Sequence, residues 1–252
     1  MKTIVITGAA TGMGLSMSKL FYQKGWNVVM AGRNKEQGEQ AASSIKRKDN
    51  KNRIIFVQTD VADSSSVQNL SNETYQYFEH ADAIINNAGI FMQGRIDELS
   101  EENWNRVINV DFNSIFLMTK YFVPKMMARK SGSILNIASV SGLFGDYSIA
   151  SYSAAKGAVV NLVRSMALDY GKYGIRVNNI CPGATETAMF KQNPESIQQK
   201  YRKASPLGYI AKPQDIAQAA YFLSNDEMAH AITGVNLPVT TGFGIFSGQP
   251  KQ

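Results

Sequence analysis

Short β-branched runs recur along the chain, each followed by a segment whose apolar residues fall three and four positions apart. Lys2 to Ile6 is the first run, and Leu15, Met17, Leu20 and Phe21 after it fit one face of a helix that Gly25 closes. Trp26 to Ala31 reads as a second strand. A polar helix from about Lys35 to Ile45, a strand from Arg53 to Gln58, a helix from Ser64 to Phe78 and a strand from Ala83 to Asn86 follow. Ser100 with Asn103 opens a long helix carrying Trp104, Val107, Ile108, Phe112, Phe116 and Tyr121, expected to bend or break near Pro124. Gly132 to Ala138 is a fifth strand. Val159, Leu162, Val163, Met166 and Leu168 predict a helix from Tyr152 to about Tyr170, before a strand from Ile175 to Ile180. Asp215 to Leu223 is the last helix and Val235 to Val239 the last strand. This alternation, with short loops and neither repeat nor low-complexity linker, predicts an α/β fold: one doubly wound parallel sheet in a single domain over residues 1–252. The polar, mixed stretch at about 184–213 is too long for an ordinary connection and is a candidate substrate lid.

Composition narrows the classes. With 44% hydrophobic and 18% charged residues, the 252-residue chain is an ordinary globular one with a substantial core. The opening apolar run is too short for a signal peptide and no later run reaches membrane-spanning length, so the expectation is a soluble, cytoplasmic protein with no membrane partner. The net charge of +6 raises the question of nucleic acid. Its densest patch, Lys46-Arg47-Lys48 with Lys51 and Arg53, falls at a predicted turn and has no interleaved aromatic residues for base stacking. A solvated loop accounts for it better, with steering of an anionic cofactor as a second account. The single cysteine, Cys181, excludes an internal disulfide and reads as a small buried apolar residue. His80 and His230 are isolated, so no metal site is expected.

The candidate chemistry gathers at strand ends. Gly8, Gly12 and Gly14 stand between the first strand and the first helix, where glycines let the backbone approach a pyrophosphate favoured by the helix N-terminus. The second strand ends in Gly32-Arg33-Asn34 with no acidic residue to accept ribose hydroxyls. Arg33 suits a 2′-phosphate, which favours NADP over NAD; the alternative is an exposed turn arginine. Asp60-Val61 after the third strand could contact an adenine amine, and the fourth strand ends in Asn86-Asn87-Ala88-Gly89. Ser139 follows the fifth strand. Tyr152 and Lys156 are i and i+4, sharing one helix face. A phenol is a poor base near neutral pH, and a fixed ammonium beside it favours the phenolate, which makes Tyr152 a candidate general acid/base. A Ser139 hydroxyl could hydrogen-bond a carbonyl substrate's oxygen. Alone, Tyr-x-x-x-Lys is a weak signal, and a surface tyrosine and lysine on an amphipathic helix is the better account of it.

In order and spacing, Gly8-x-x-x-Gly12-x-Gly14, Asn86-Asn87-Ala88-Gly89, Ser139, Tyr152-x-x-x-Lys156, Pro182-Gly183 and Thr187 resemble the short-chain dehydrogenase/reductase family, from Lys2 to about Gly242. Its shorter-chain branch, with the 3-oxoacyl-(acyl-carrier-protein) reductases, is the most similar. The resemblance implies a Rossmann-type fold of about seven parallel strands, a nicotinamide cofactor and interconversion of a ketone with a secondary alcohol. It implies Tyr152 as proton donor in reduction, Ser139 on the substrate oxygen and Lys156 on the nicotinamide ribose. The cofactor-binding residues it implies are Gly8, Thr11, Gly12, Met13, Gly14, Arg33, Asn34, Asp60, Val61, Asn86, Asn87, Ala88, Gly89, Tyr152, Lys156, Pro182, Gly183, Thr185 and Thr187. A homotetramer or homodimer is also implied, pairing the helices that begin near Trp104 and Tyr152.

Two positions depart from the family pattern. Asp111 stands where the family usually has a catalytic asparagine, and Val239-Thr240-Thr241-Gly242 replaces Val-Asp-Gly-Gly. The leading reading is an NADP-dependent carbonyl reductase. An NAD-linked polyol or hydroxysteroid dehydrogenase and a catalytically weak dinucleotide sensor are the alternatives. Met92, Phe144, Tyr147, Met189 and Phe190 are candidates for an apolar substrate pocket, open to a 3-oxoacyl thioester, a small diketone, a sugar or a steroid.

Overall fold

Seven parallel strands make one sheet in a computed structural model that describes residues 1–47 and 50–245; Lys48 of the basic patch and the tail beyond 245 lie outside the described residues. The strands are β1 (Thr3–Thr7), β2 (Asn27–Gly32), β3 (Ile54–Gln58), β4 (Ala83–Asn86), β5 (Gly132–Ile137), β6 (Ile175–Pro182) and β7 (Asn236–Val239), in the order β3-β2-β1-β4-β5-β6-β7. Helices α1 (Gly12–Gln23), α2 (Lys35–Ile45) and α9 (Pro213–Ser224) cover one face. On the other lie α3 (Ser64–Tyr77), α5 (Ser114–Arg129) and α6 (Ala150–Gly171). The inner strands β1, β2, β4, β5 and β6 are buried on both faces, whereas the edge strands β3 and β7 are only partly covered. Ile4 and Ile6 pack with Met17, Phe21 and Ile216, whereas Val5 between them packs with Leu70, Phe122 and Val163.

The strand order reverses between β1 and β4, so the connections leaving these neighbours run to opposite faces and open a crevice at the strands' C-terminal ends. One row of side chains crosses the same half of the sheet. Asn86, Asn136, Asn179 and Asn236 are paired in register. Their amides form a chain: Asn86 Nδ2 donates to Asn136 Oδ1 (2.8 Å), Asn136 Nδ2 to Asn179 Oδ1 (2.9 Å) and Asn179 Nδ2 to Asn236 Oδ1 (2.7 Å). Asn179 Nδ2 also reaches the Val159 carbonyl and Asn236 Nδ2 the Val160 carbonyl, which ties α6 to the sheet just beyond Lys156.

Two expectations from the pattern are corrected. The long helix opened by Ser100 does not break at Pro124. It consists of α4 (Glu101–Ile108), a π-helical turn at Asn109–Asn113 and α5, with Pro124 inside α5. Pro124 is on the exposed face, where water can take the carbonyl that its ring cannot bond. Leu168 is not on the buried face of α6 but is 83% exposed: five residues beyond Val163, it has rotated off the stripe. The 184–213 stretch carries two short helices, α7 (Ala188–Lys191) and α8 (Glu195–Ala204), neither with a fully buried residue. The short α10 (Asp226–Ala229) follows α9.

Candidate active site

β1 delivers the chain into a loop that only glycines can make. Gly8 and Gly12 have positive φ values of 61° and 52°, and a Cβ on Gly14 would lie 2.2 Å from the Gly8 carbonyl oxygen. The loop is fastened to the one after β4. Asn87 Nδ2 donates to the carbonyls of Thr7 (2.8 Å) and Gly8 (3.1 Å), and Thr7 Oγ1 accepts the N–H groups of Asn87 and Ala88. The Thr11 N-cap makes no side-chain bond and the first turn of α1 holds no acidic residue. Its N–H groups and the positive helix end are therefore left to a ligand, and this cradle fits a diphosphate.

The cradle is one wall of a cleft of about 410 Å³ at the switch point of the sheet. Of the residues singled out from the sequence, Gly8, Thr11, Gly12, Met13, Gly14, Arg33, Asn34, Asp60, Val61, Asn87, Ala88, Gly89 and Thr187 line it. Asn34 also caps α2 by accepting the Gln37 N–H, and Asp60 Oδ1 accepts the Ala62 N–H. Asn86 is not brought to the cleft, because the strand pleat turns its side chain into the asparagine row. Pro182 ends β6, with Gly183 and Thr185 after it; none of the three is among the lining residues. The cleft adds Gln37, Ile90, Val110 and Ala188, which the sequence reading missed. Only Gln37 carried a signal, a polar side chain one turn into the helix after Arg33.

Ser139, Asp111, Tyr152 and Lys156 lie off that lining. Ser139 leaves β5 and caps the 3-10 turn at Val140–Gly142: its Oγ accepts the Ser141 N–H (3.1 Å), which leaves its own proton free to donate. The turn packs directly on α6, since a Cβ on Gly142 would lie 2.5 Å from the Lys156 carbonyl oxygen. Tyr152 is in the first turn of α6 and Lys156 one turn on, its Nζ 5.6 Å from the Tyr152 ring centroid. Lys156 is buried, donating to the Ile137 carbonyl (3.0 Å) and 3.1 Å from Asp111 Oδ2. Burial pushes the Asp111 carboxyl above the usual carboxylate range, against the opposing pull of Lys156 and of the Ile90 N–H. Burial likewise pushes the Cys181 thiol up to about 11, so it stays protonated and inert.

One aromatic side chain flanks this group, and others cluster in the 184–213 stretch. Phe91, which the sequence reading missed, meets Tyr152 edge to face with centroids 5.5 Å apart. Phe190 packs on Tyr201 of α8, and Tyr201 faces Phe243. Of the proposed pocket residues Phe144, Tyr147 and Met189 are exposed, and Met189 lines the cleft. Among the described residues no three His, Cys, Asp or Glu side chains could hold a metal ion, and no helix is long and apolar enough to cross a membrane.

Residues 2–198 match the family described as short chain dehydrogenase. Meso-2,3-butanediol dehydrogenase of Serratia marcescens is 40% identical over 250 residues, covering 99% of this chain and 97% of the relative. The 3-oxoacyl-(acyl-carrier-protein) reductase FabG of Chlamydia trachomatis is 34% identical over 241 residues, covering 96% of each. Among solved structures, a variant of actinorhodin polyketide ketoreductase with NADPH superposes with a TM-score of 0.91 at 26% identity, over 97% of this chain and 98% of that one. The sheet order, the glycine cradle and these likenesses agree that the chain belongs to the short-chain dehydrogenase family, whose members bind NAD(P), and is an oxidoreductase acting on CH–OH groups.

Proposed function

We propose that the protein interconverts a ketone and a secondary alcohol with NADP as cofactor and Tyr152 as general acid/base. The observation that carries the reading is the convergence of Ser139, Tyr152 and a buried Lys156 where α6 meets the Ser139 turn, at the C-terminal end of β5. The cofactor would lie with its diphosphate on the Gly8 to Gly14 cradle and its adenosine end toward Arg33 and Asp60, which line the same cleft. When bound, the nicotinamide supplies or accepts the hydride. Ser139, its lone pair already engaged by the Ser141 N–H, donates to the substrate oxygen and steadies the charge that grows there. Tyr152 hands its proton to that oxygen in reduction and takes it back in oxidation. Lys156 holds its ammonium 5.6 Å from the ring centroid of the phenol and would bind the ribose of a bound cofactor.

Arg33 supports NADP: it is exposed where it lines the cleft, and the acidic residue nearest to it in sequence, Glu36, does not line the cleft but bonds Gln40. An aromatic ring, Phe91, stands against Tyr152, which favours small uncharged ketones over a sugar. The Serratia relative, named for a small vicinal diol, supports the same class. The exposed Phe116 on α5 and Leu168 on α6 support a homo-oligomer paired through those helices. The test is turnover of NADPH and, separately, NADH by the purified protein against diketones, hydroxyketones and 3-oxoacyl thioesters. Turnover is expected with NADPH and small ketones, and Tyr152→Phe should lower kcat at least ~10³-fold while leaving NADPH affinity within about threefold. Equal turnover by the variant removes Tyr152 from the mechanism.

A further inference from the structure

We infer that Asp111 is the counter-ion of Lys156: a positioning residue that fixes the ammonium beside Tyr152 and whose charge sets the pH range of the reaction. The inference deepens the reading of Tyr152 and Lys156 given above.

The fold makes a specific effort to bring this carboxylate in. Asp111 lies in the π-helical turn at Asn109–Asn113, where an extra residue in the turn redirects a side chain. The residue is 2% exposed and Lys156 5%. Asp111 Oδ1 accepts the Ile90 N–H at 2.8 Å, which fixes the carboxylate, and Oδ2 faces Lys156 Nζ at 3.1 Å. Nζ is held from its other side by the Ile137 carbonyl at 3.0 Å. Oδ2 has no aligned hydrogen bond, so its compensation is the charge of Lys156. Gly89 leaves room for the pair, because a Cβ there would stand 2.9 Å from Oδ2. Removing either charge strands the other in a buried place, which is the costly case for an ion pair.

Few other ionisable groups face the pair. β4, β5, the 3-10 turn and the 87–94 segment contribute none, and Glu101, Glu102 and Arg106 of α4 are exposed. β6 contributes Cys181, protonated, and α6 contributes Tyr152. Asp146, after the 3-10 turn, is bonded to Ser141 and to the Tyr147 N–H. The ionised pair is therefore close to neutral as seen from the substrate. An amide at 111 keeps the shape and, with its oxygen on the Ile90 N–H, turns an NH2 donor towards Nζ, so it removes the counter-charge and leaves the charge of Lys156 uncovered. Positive charge favours the deprotonated member of an acid/base couple, so the neutral variant should work at lower pH.

The experiment compares the full chain with Asp111→Asn and Asp111→Ala. The rising limb of the kcat–pH profile for alcohol oxidation should move at least about half a pH unit lower in Asp111→Asn, with KM within ~3-fold. Asp111→Ala, which also loses the Ile90 contact, should lower kcat by roughly tenfold or more. An Asp111→Asn profile superimposing on the wild type overturns the inference. A second arm needs no turnover. A carboxyl raised in the folded state keeps a proton that the unfolded chain has released, so stability contributed by protonated Asp111 is lost as pH rises from about 4 through the folded value. The Tm of the wild type relative to Asp111→Asn should fall across that window and then level, and in Lys156→Met, where the carboxyl has lost its counter-ion, the fall should reach further up in pH; the same pH profile of Tm in Lys156→Met overturns the pair. If Tyr152→Phe kept full turnover, the reaction reading would fall and this arm would still decide the role of Asp111.

Discussion

Arg33 and Tyr152 could be singled out from the sequence because the chemistry proposed for them depends on residue type at a strand or helix end. A guanidinium after β2 and a phenol one turn before a lysine announce themselves in the linear order. Gln37, Ile90 and Phe91 did not, because backbone position or ring stacking brings them to the site, and either could be served by many residue types. The neighbours Asn86 and Asn87 make the same point. They are identical in type and adjacent in sequence, yet one joins a buried row across the sheet while the other fastens the glycine loop. Arg33 also carries the prediction that belongs to this scale. Arg33→Ala should weaken NADPH by roughly 10- to 100-fold, the worth of one or two charge-assisted bonds, and leave NADH within about threefold. Titration of each cofactor by fluorescence checks this; equal losses would remove Arg33 as the reader of the phosphate.

Element boundaries followed the apolar periodicity closely except where tertiary contacts overrode local signals. Pro124 is a strong breaker that broke nothing, because it faces water. The real irregularity, the π-helical turn that turns Asp111 inward, has no breaker in its sequence, Asn-Val-Asp-Phe-Asn. Register was also hidden: asparagines in four strands give no hint that they align. Once aligned, Asn179 becomes the centre of the row, accepting from Asn136 and donating to Asn236 and Val159. Asn179→Ala should therefore cost about 2–3 kcal/mol, because it strands the buried Asn136 amide and frees α6 from β6. Urea unfolding should show this as a lower midpoint at unchanged slope, together with a drop in kcat as Tyr152 and Lys156 lose their fixed place. An unchanged midpoint would mean that water replaces the row.

At the scale of the molecule, strands alternating with helices were enough to forecast a doubly wound sheet, and with it a ligand crevice where the order reverses. The stretch at 184–213 was readable only as long and polar, since α7 and α8 bury little. Thr187, Ala188 and Met189 nevertheless reach the cleft wall. The stretch at 184–213 is expected to close over bound cofactor. Saturating NADPH should slow limited proteolysis within it on the order of tenfold, and cleavage at an unchanged rate would mean it does not close. The fastening of the glycine loop by Asn87 bears on synthesis as well. Its bonds to Thr7 and Gly8 join residues 80 and 79 apart. When β1, α1 and β2 have left the ribosome, the nucleotide cradle still lacks its clasp, which comes with β4. Cofactor therefore cannot act as a template for the segment that precedes Asn87, and its stabilising hold begins only once the sheet's centre has closed.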